Sequence, residues 1–187
     1  LDPKTISYSN YLTLKKISIS QEIELIETKN LIDQLWKRKR NNKSLVKKHD
    51  IEFSGTKSKT KIDKIIKSMK KNSADAIFIA QPENVCWTLN IRGDDLDHTP
   101  IVRSCLLIDK KRNITLFSDN ISNASIIKKW IGNKIKILEI KKVEEVIKNK
   151  NYNKIQFDPN YTTQSLANIL IKHSNSFVCV NDPITLM

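Results

Sequence analysis

The sequence predicts an α/β fold, a layered domain in which a central mixed β-sheet is flanked by helices. Three features carry that expectation. Short continuous apolar runs bounded by turn residues, such as AIFIA at 76–80, read as buried strands. These runs alternate with stretches whose apolar residues recur at helical spacing, as Ile62, Ile65, Ile66 and Met69 do. One pair of runs, 101–108 and 114–117, is joined by the polar stretch 109–113. It predicts an antiparallel hairpin inside a β-α-β alternation, and so a mixed sheet.

Taken in order, Tyr8, Leu12, Leu14 and Ile17 suit a short helix, and residues 23–26 (IELI) suit a strand. Asn30 is placed to cap a helical turn carrying Leu31, Ile32, Leu35 and Trp36. This opening piece is too short for a core of its own and must pack on the next domain or on residues outside this sequence. Residues 37–48, KRKRNNKSLVKK, form a basic, weakly apolar stretch that reads as a solvated linker or as a nucleic-acid or localisation patch. The helix at 60–71 has lysines round the rest of its turn, which predicts a core-facing stripe and a basic outer face. After the strand at 76–80, Gln81–Asn84 make a turn, and Pro82 suits the opening of a short helical turn with Val85 and Trp87. Beyond the hairpin come a helix at 122–130, a strand at 135–140 and a helix at 143–148. A strand at 154–157 is stopped by Asp158-Pro159. A helix at 162–173 turns Leu166, Ile169 and Leu170 inward, and 177–180 is the last buried strand.

Composition narrows the function classes. The chain has 187 residues, enough for one good domain or one domain plus part of another, and its 39% hydrophobic content is ample for a core. No apolar run approaches the roughly 20 residues of a membrane span, and the N-terminus lacks the basic-then-apolar order of a signal peptide. Cys86, Cys105 and Cys179 are widely spaced among apolar residues. They read as buried free thiols of a reducing compartment, so the expected location is cytoplasmic. The net charge of +13 would attract nucleic acid or an acidic membrane. The lysines are spread along the chain, however, and accompany many Asn and Ile residues, which weakens that reading.

Residues 85–100, VCWTLNIRGDDLDHTP, are the stretch with most chemistry. An apolar segment leads into Arg92-Gly93, then Asp94, Asp95 and Asp97, then His98. Gly93 is one of only three glycines, which suggests a turn requiring positive φ or a close approach. His98 with Asp95 and Asp97 can be half of a metal site, an acid/base pair, or a polar loop bonding to itself. There is no Gly-rich phosphate loop, CxxC pair or HExxH, and no serine stands out as an activated nucleophile.

The stretch WTLNIRGDDLDHTP resembles the W-L-x-N-[IL]-R-G-x-D-x-x-x-x-P segment in the middle domain of three-domain Xaa-Pro aminopeptidases. Residues 23–36, IELIETKNLIDQLW, are similar to that family's E-L-[IV]-x-x-x-x-N-L-[IV]-D-x-[IL]-W segment. Asp2-Pro3 resembles the end of its first domain, Phe53-Ser54-Gly55 the entry to its middle domain, and Asn181-Asp182-Pro183-Ile184 the junction before its catalytic domain. The prolines that related proteins usually carry within 37–48 are missing here.

The resemblance implies a creatinase/prolidase N-terminal-domain-like fold. It divides the chain into a remnant of a first domain plus linker at 1–45 and a middle domain at 46–187. It implies a non-catalytic region that shapes substrate access and subunit packing for a metallopeptidase. In that family two divalent metals, usually manganese, are held by two Asp, one His and two Glu of a C-terminal pita-bread domain. None of those ligands maps onto this sequence, so no cofactor and no peptidase activity are expected of the chain alone. The expected partner is the pita-bread domain in cis or trans, within a homo-oligomer, with no membrane and no specific nucleic acid. Asn90, Arg92, Gly93, Asp95 and His98 would form a substrate-access or domain-contact loop, with Asp95 holding Arg92. The alternative is a stand-alone basic module that binds nucleic acid or an acidic protein.

Overall fold

The computed structural model describes residues 1–36, 45–119, 121, 124–132 and 135–187. The chain opens with α1 (Tyr8–Ser20) and the short α2 (Ile32–Leu35), followed by β1 (Lys47–Lys48), α3 (Ile51–Ser54) and α4 (Ser58–Lys71). Next come β2 (Ala76–Ile79), α5 (Pro82–Leu89), β3 (Ile91–Arg92), β4 (Cys105–Asp109) and β5 (Ile114–Phe117). The last part runs α6 (Ala124–Ile131), β6 (Ile135–Leu138), α7 (Val143–Lys150), β7 (Lys154–Phe157), α8 (Gln164–Lys172) and β8 (Ser176–Cys179). Most of the linker at 37–48 and the first two residues of the helix expected at 122–130 lie outside the described residues.

Six strands form one sheet in the order β6-β5-β4-β2-β7-β8. β4 is antiparallel to both of its neighbours, while the β5–β6, β2–β7 and β7–β8 pairs are parallel. The sheet is therefore mixed, as the hairpin required. Its strands alternate side chains between two cores. Ile77, Ile79, Leu106 and Ile108 meet Ile62, Ile65, Ile66 and Met69 of α4 on one face. Ala76, Phe78, Cys105 and Leu107 meet Val143 and Ile147 of α7 and Ala167 and Leu170 of α8 on the other. Each fully buried Phe or Ile here contributes about 1.5–3 kcal/mol.

Turn chemistry fixes the connections. At the β4–β5 tip, Asp109 Oδ1 accepts the N–H groups of Lys111 (2.8 Å) and Asn113 (2.9 Å), and Arg112 takes φ 65°. Gly55, at φ 67°, closes α3 in the left-handed conformation that favours glycine. Ser7 and Thr163 cap α1 and α8 by accepting the N–H groups of Asn10 and Leu166. The opening piece docks on the domain: Tyr8 N–H bonds Thr162 O at 2.9 Å, Gln164 N–H bonds Ile6 O at 2.9 Å, and the Tyr8 ring meets Phe157 edge-on.

Several expectations change. Residues 23–26 form no strand, and Ile23 and Ile26 are 62% and 58% exposed. An apolar run becomes a strand only where another backbone completes its ladder, and this one has none beside it among the described residues. The hairpin's first strand starts at Cys105 rather than 101. Residues 82–89 make an eight-residue helix rather than a turn with a single helical turn. Strand β8 is the sheet edge, so Phe177 is 41% exposed and Cys179 is an exposed thiol, not a buried one. Finally, not every lysine of α4 lies on its outer face, because Lys61 is fully buried on the core-facing side.

Candidate functional site

The site is built on the C-terminal end of α5. Asn90 ends that helix in the left-handed region, at φ 52° and ψ 51°, and is completely buried. Asparagine tolerates this conformation better than most residues because its short amide can satisfy nearby backbone groups. Asn90 Nδ2 donates to Thr56 O at 2.9 Å, while its Oδ1 accepts from Lys61 Nζ at 2.6 Å. Its backbone carbonyl accepts the His49 N–H at 2.8 Å. One buried amide thus ties α4, α5 and the segment after the linker together.

Lys61 is the less expected half. Its ammonium donates to Trp87 O at 2.8 Å and lies 3.8 Å above the centroid of the Trp87 ring. Trp87 O is one of the last carbonyls of α5, where the Asn90 N–H donates at a long 3.3 Å, so the cation sits at the negative end of the helix. Desolvating an ammonium costs several kcal/mol, and two charged hydrogen bonds plus the ring contact return about 5–8 kcal/mol. The terms are of the same order. Burial, and next the Arg92 guanidinium, push the Lys61 pKa down from 10.5 to about 8. The group therefore remains mostly charged near neutrality.

Arg92 stands half-buried on this pedestal. β3 pairs antiparallel with β1, setting Lys47 opposite Arg92 and Lys48 opposite Ile91. Arg92 Nη1 donates to Ile91 O at 2.8 Å. His49 lies in the same cationic neighbourhood. Its pKa is lowered by burial first, then by Arg92 and Lys61.

Beyond Arg92 the chain makes a loose hairpin. Gly93 N–H bonds Pro100 O, Asp95 N–H bonds Ile101 O, and Leu96 bridges Thr99. The acids do not converge. Asp94 Oδ1 accepts the Leu45 N–H at 3.2 Å, and Asp95, only 6% exposed, accepts the Arg103 N–H at 2.6 Å. Asp97 and His98 lie at the exposed tip, with His98 at φ 61°. The left-handed residues of the stretch are thus Asn90 and His98, and Gly93 is not among them. Asp95 holds the hairpin base to the Arg103 backbone, where the expectation had it holding the Arg92 guanidinium. Among the described residues no group of three or more His, Cys, Asp or Glu converges to hold a metal.

Sequence reading singled out Asn90, Arg92 and Asp95 and passed over Lys61 and Thr56, which bond to the Asn90 side chain. Lys61 had a signal: the spacing that turns Ile65 and Met69 inward puts position 61 on the same stripe. Thr56 had none, since it contributes only a carbonyl.

The sequence model of the Creatinase/Prolidase N-terminal domain matches residues 37–187. The chain belongs to that family. Xaa-Pro aminopeptidase 1 of Dictyostelium discoideum is 27% identical over 189 residues, covering 92% of this chain and 30% of its own length. Xaa-Pro aminopeptidase ApepP of Drosophila melanogaster is 29% identical over 125 residues, covering 64% of this chain and 20% of its own. The chain thus spans less than a third of these relatives. Among solved structures, the X-prolyl aminopeptidase of Caenorhabditis elegans, described as a cytosolic enzyme with a di-nuclear active site, superposes with a TM-score of 0.79. It does so at 20% identity, over 96% of this chain and 31% of its own. That likeness confirms the mixed α/β fold of a creatinase/prolidase N-terminal domain.

Proposed function

We propose that this chain is the substrate-entrance region of an Xaa-Pro aminopeptidase, acting on a catalytic domain whose residues lie outside it. The observation that carries this is the family match over 37–187, coupled to a buried pedestal that presents Arg92 at its edge. A fully buried Lys61–Asn90 pair is more structure than a solvated turn needs, and it fixes where the guanidinium starts. Arg92 offers a planar fork for a peptide carboxylate, a substrate carbonyl or an acidic loop of the catalytic domain. Gly93 and the hairpin to His98 form the flank of that entrance.

Bond cleavage belongs to the catalytic domain. The family's paired divalent metals, manganese by resemblance, supply the activated water there. The role of this chain is to orient the peptide and narrow the entrance, in the same subunit or a neighbouring one of a homo-oligomer. The C. elegans neighbour's description as cytosolic supports the same location for this protein. Among the described residues no helix is long and apolar enough to cross a membrane.

A stand-alone basic module has the net charge of +13 in its favour. Peptidase assays separate the two. The purified chain with manganese is expected to release no N-terminal residue from an Xaa-Pro peptide. The same chain joined to a relative's catalytic domain is expected to release it. Failure of the joined protein to turn over, together with sequence-selective DNA binding at physiological salt, would favour the basic module.

A further inference from the structure

A second region has the make-up of a ligand site and lies apart from the Arg92 loop. Between α3, α4, β5 and α6 runs a half-open cavity of about 660 Å³. That is within the range of small-molecule sites, roughly 300–1,000 Å³. Its walls are apolar: Ile51, Ile62, Ile114, Trp130 and Ile131. Its rim is basic, with Lys57, Lys59 and Arg112 around one end. Arg112 is ion-paired to Asp63, while Lys57 and Lys59 are exposed beside the opening.

The basic end coincides with the start of α4. Lys57, Ser58 and Lys59 are the cap and first two residues of this 14-residue helix. The N-cap residue Lys57 makes no side-chain cap and the first turn holds no acid, so among the described residues no side chain answers the positive end of α4. Ser58 is 9% exposed, and among the described residues its Oγ has no hydrogen-bond partner. Buried polar groups are seldom left unmatched, and this hydroxyl at the basic end of the cavity points to an absent acceptor. An anionic head at the helix start would meet the N–H groups, the Ser58 hydroxyl and the lysines together. The isoleucines and the Trp130 ring would take an apolar body.

We propose that this cavity binds a small amphipathic anion, its carboxylate or phosphate at the N-terminus of α4 and its apolar part against Trp130, Ile62 and Ile131. The site shares the α3–α4 connection with the entrance loop, since Thr56 O receives the Asn90 amide two residues before Ser58. The proposal does not depend on the peptidase reading.

The test is a titration of the purified chain with 8-anilinonaphthalene-1-sulfonate, an aromatic body with an anionic head, alongside its uncharged relative N-phenyl-1-naphthylamine. One saturable sulfonate site per chain is expected, with quenching of tryptophan emission that Trp130→Phe reduces. Charge reversal at the rim, Lys57→Glu with Lys59→Glu, is expected to weaken the sulfonate about tenfold or more, with Tm and the uncharged dye unaffected. Ile131→Trp, which fills the apolar end, is expected to exclude both dyes. Octanoate and octyl phosphate compete, and the tighter of them names the head group. Sulfonate binding that is absent, unsaturable or indifferent to the charge reversal would overturn the proposal, as would failure of both octyl compounds to compete. An acidic peptide competing where neither octyl anion does would assign the cavity to a protein partner instead.

Discussion

Replacing Asn90 by alanine would remove one of the two oxygens that receive the buried Lys61 ammonium, and the donor to Thr56 O. An amide's loss from beside a buried charge costs more than an exposed pair ever contributes. Urea denaturation is expected to show Asn90→Ala destabilised by about 2–4 kcal/mol; a loss below about 1 kcal/mol would mean that the pedestal is not what holds this turn. Lys61 gives a pH signature. Its folded pKa of about 8 lies below the ordinary 10.5, so between these values the unfolded chain holds a proton that the folded one has released. Stability from this group is fully present above pH 10.5 and is lost as pH falls through about 8. Compared with Lys61→Met, the wild-type chain is expected to gain stability as pH rises across that window. Parallel Tm profiles for the two proteins would show that Lys61 is not shifted. The stripe of Ile62, Ile65, Ile66 and Met69 was legible in the sequence because apolar periodicity reports burial directly. The same spacing puts position 61 on that stripe, but a lysine's identity argues for solvent until the helix end it serves is known.

Strand order decides properties that no single strand reveals. The run FVCV reads as a core strand, yet β8 ends the sheet and leaves Cys179 exposed, while Cys86 and Cys105 are buried. Burial pushes the Cys86 and Cys105 thiols up to about 11 and about 12, and Cys86 Sγ also accepts the Val102 N–H. A thiol reagent such as 5,5′-dithiobis(2-nitrobenzoate) is therefore expected to modify Cys179 in the native chain and all three cysteines after unfolding. Native modification of all three, or of none, would contradict the edge position of β8. Residues 23–26 show the same gap between pattern and pairing. Their apolar pattern was visible, but whether another strand lies beside them is settled by the rest of the chain. The hairpin, by contrast, was legible because its two strands are neighbours in sequence and its tip carries Asp109, whose carboxylate organises the turn.

At the scale of the molecule, the sheet places α4 and α5 on one face, and their packing brings Lys61 under the end of α5. The loop at 90–98 was singled out as a stretch, through resemblance, while its geometry came from contacts distant in sequence, 29 residues for Lys61 to Asn90 and 49 for Leu45 to Asp94. Asp95, expected beside Arg92, is drawn instead to the Arg103 backbone by the hairpin that this geometry sets up. Among the described residues the Arg92 guanidinium bonds one neighbouring carbonyl, that of Ile91, of the five N–H donors it carries. The most direct measurement joins this chain to the catalytic domain of a relative and compares Arg92→Ala with the parent by steady-state kinetics on an Xaa-Pro peptide and by thermal melting. The entrance role predicts a fall in kcat/KM of about tenfold to a hundredfold, with Tm nearly unchanged. Unaltered kinetics, or a loss of activity that tracks a loss of folded protein, would contradict it.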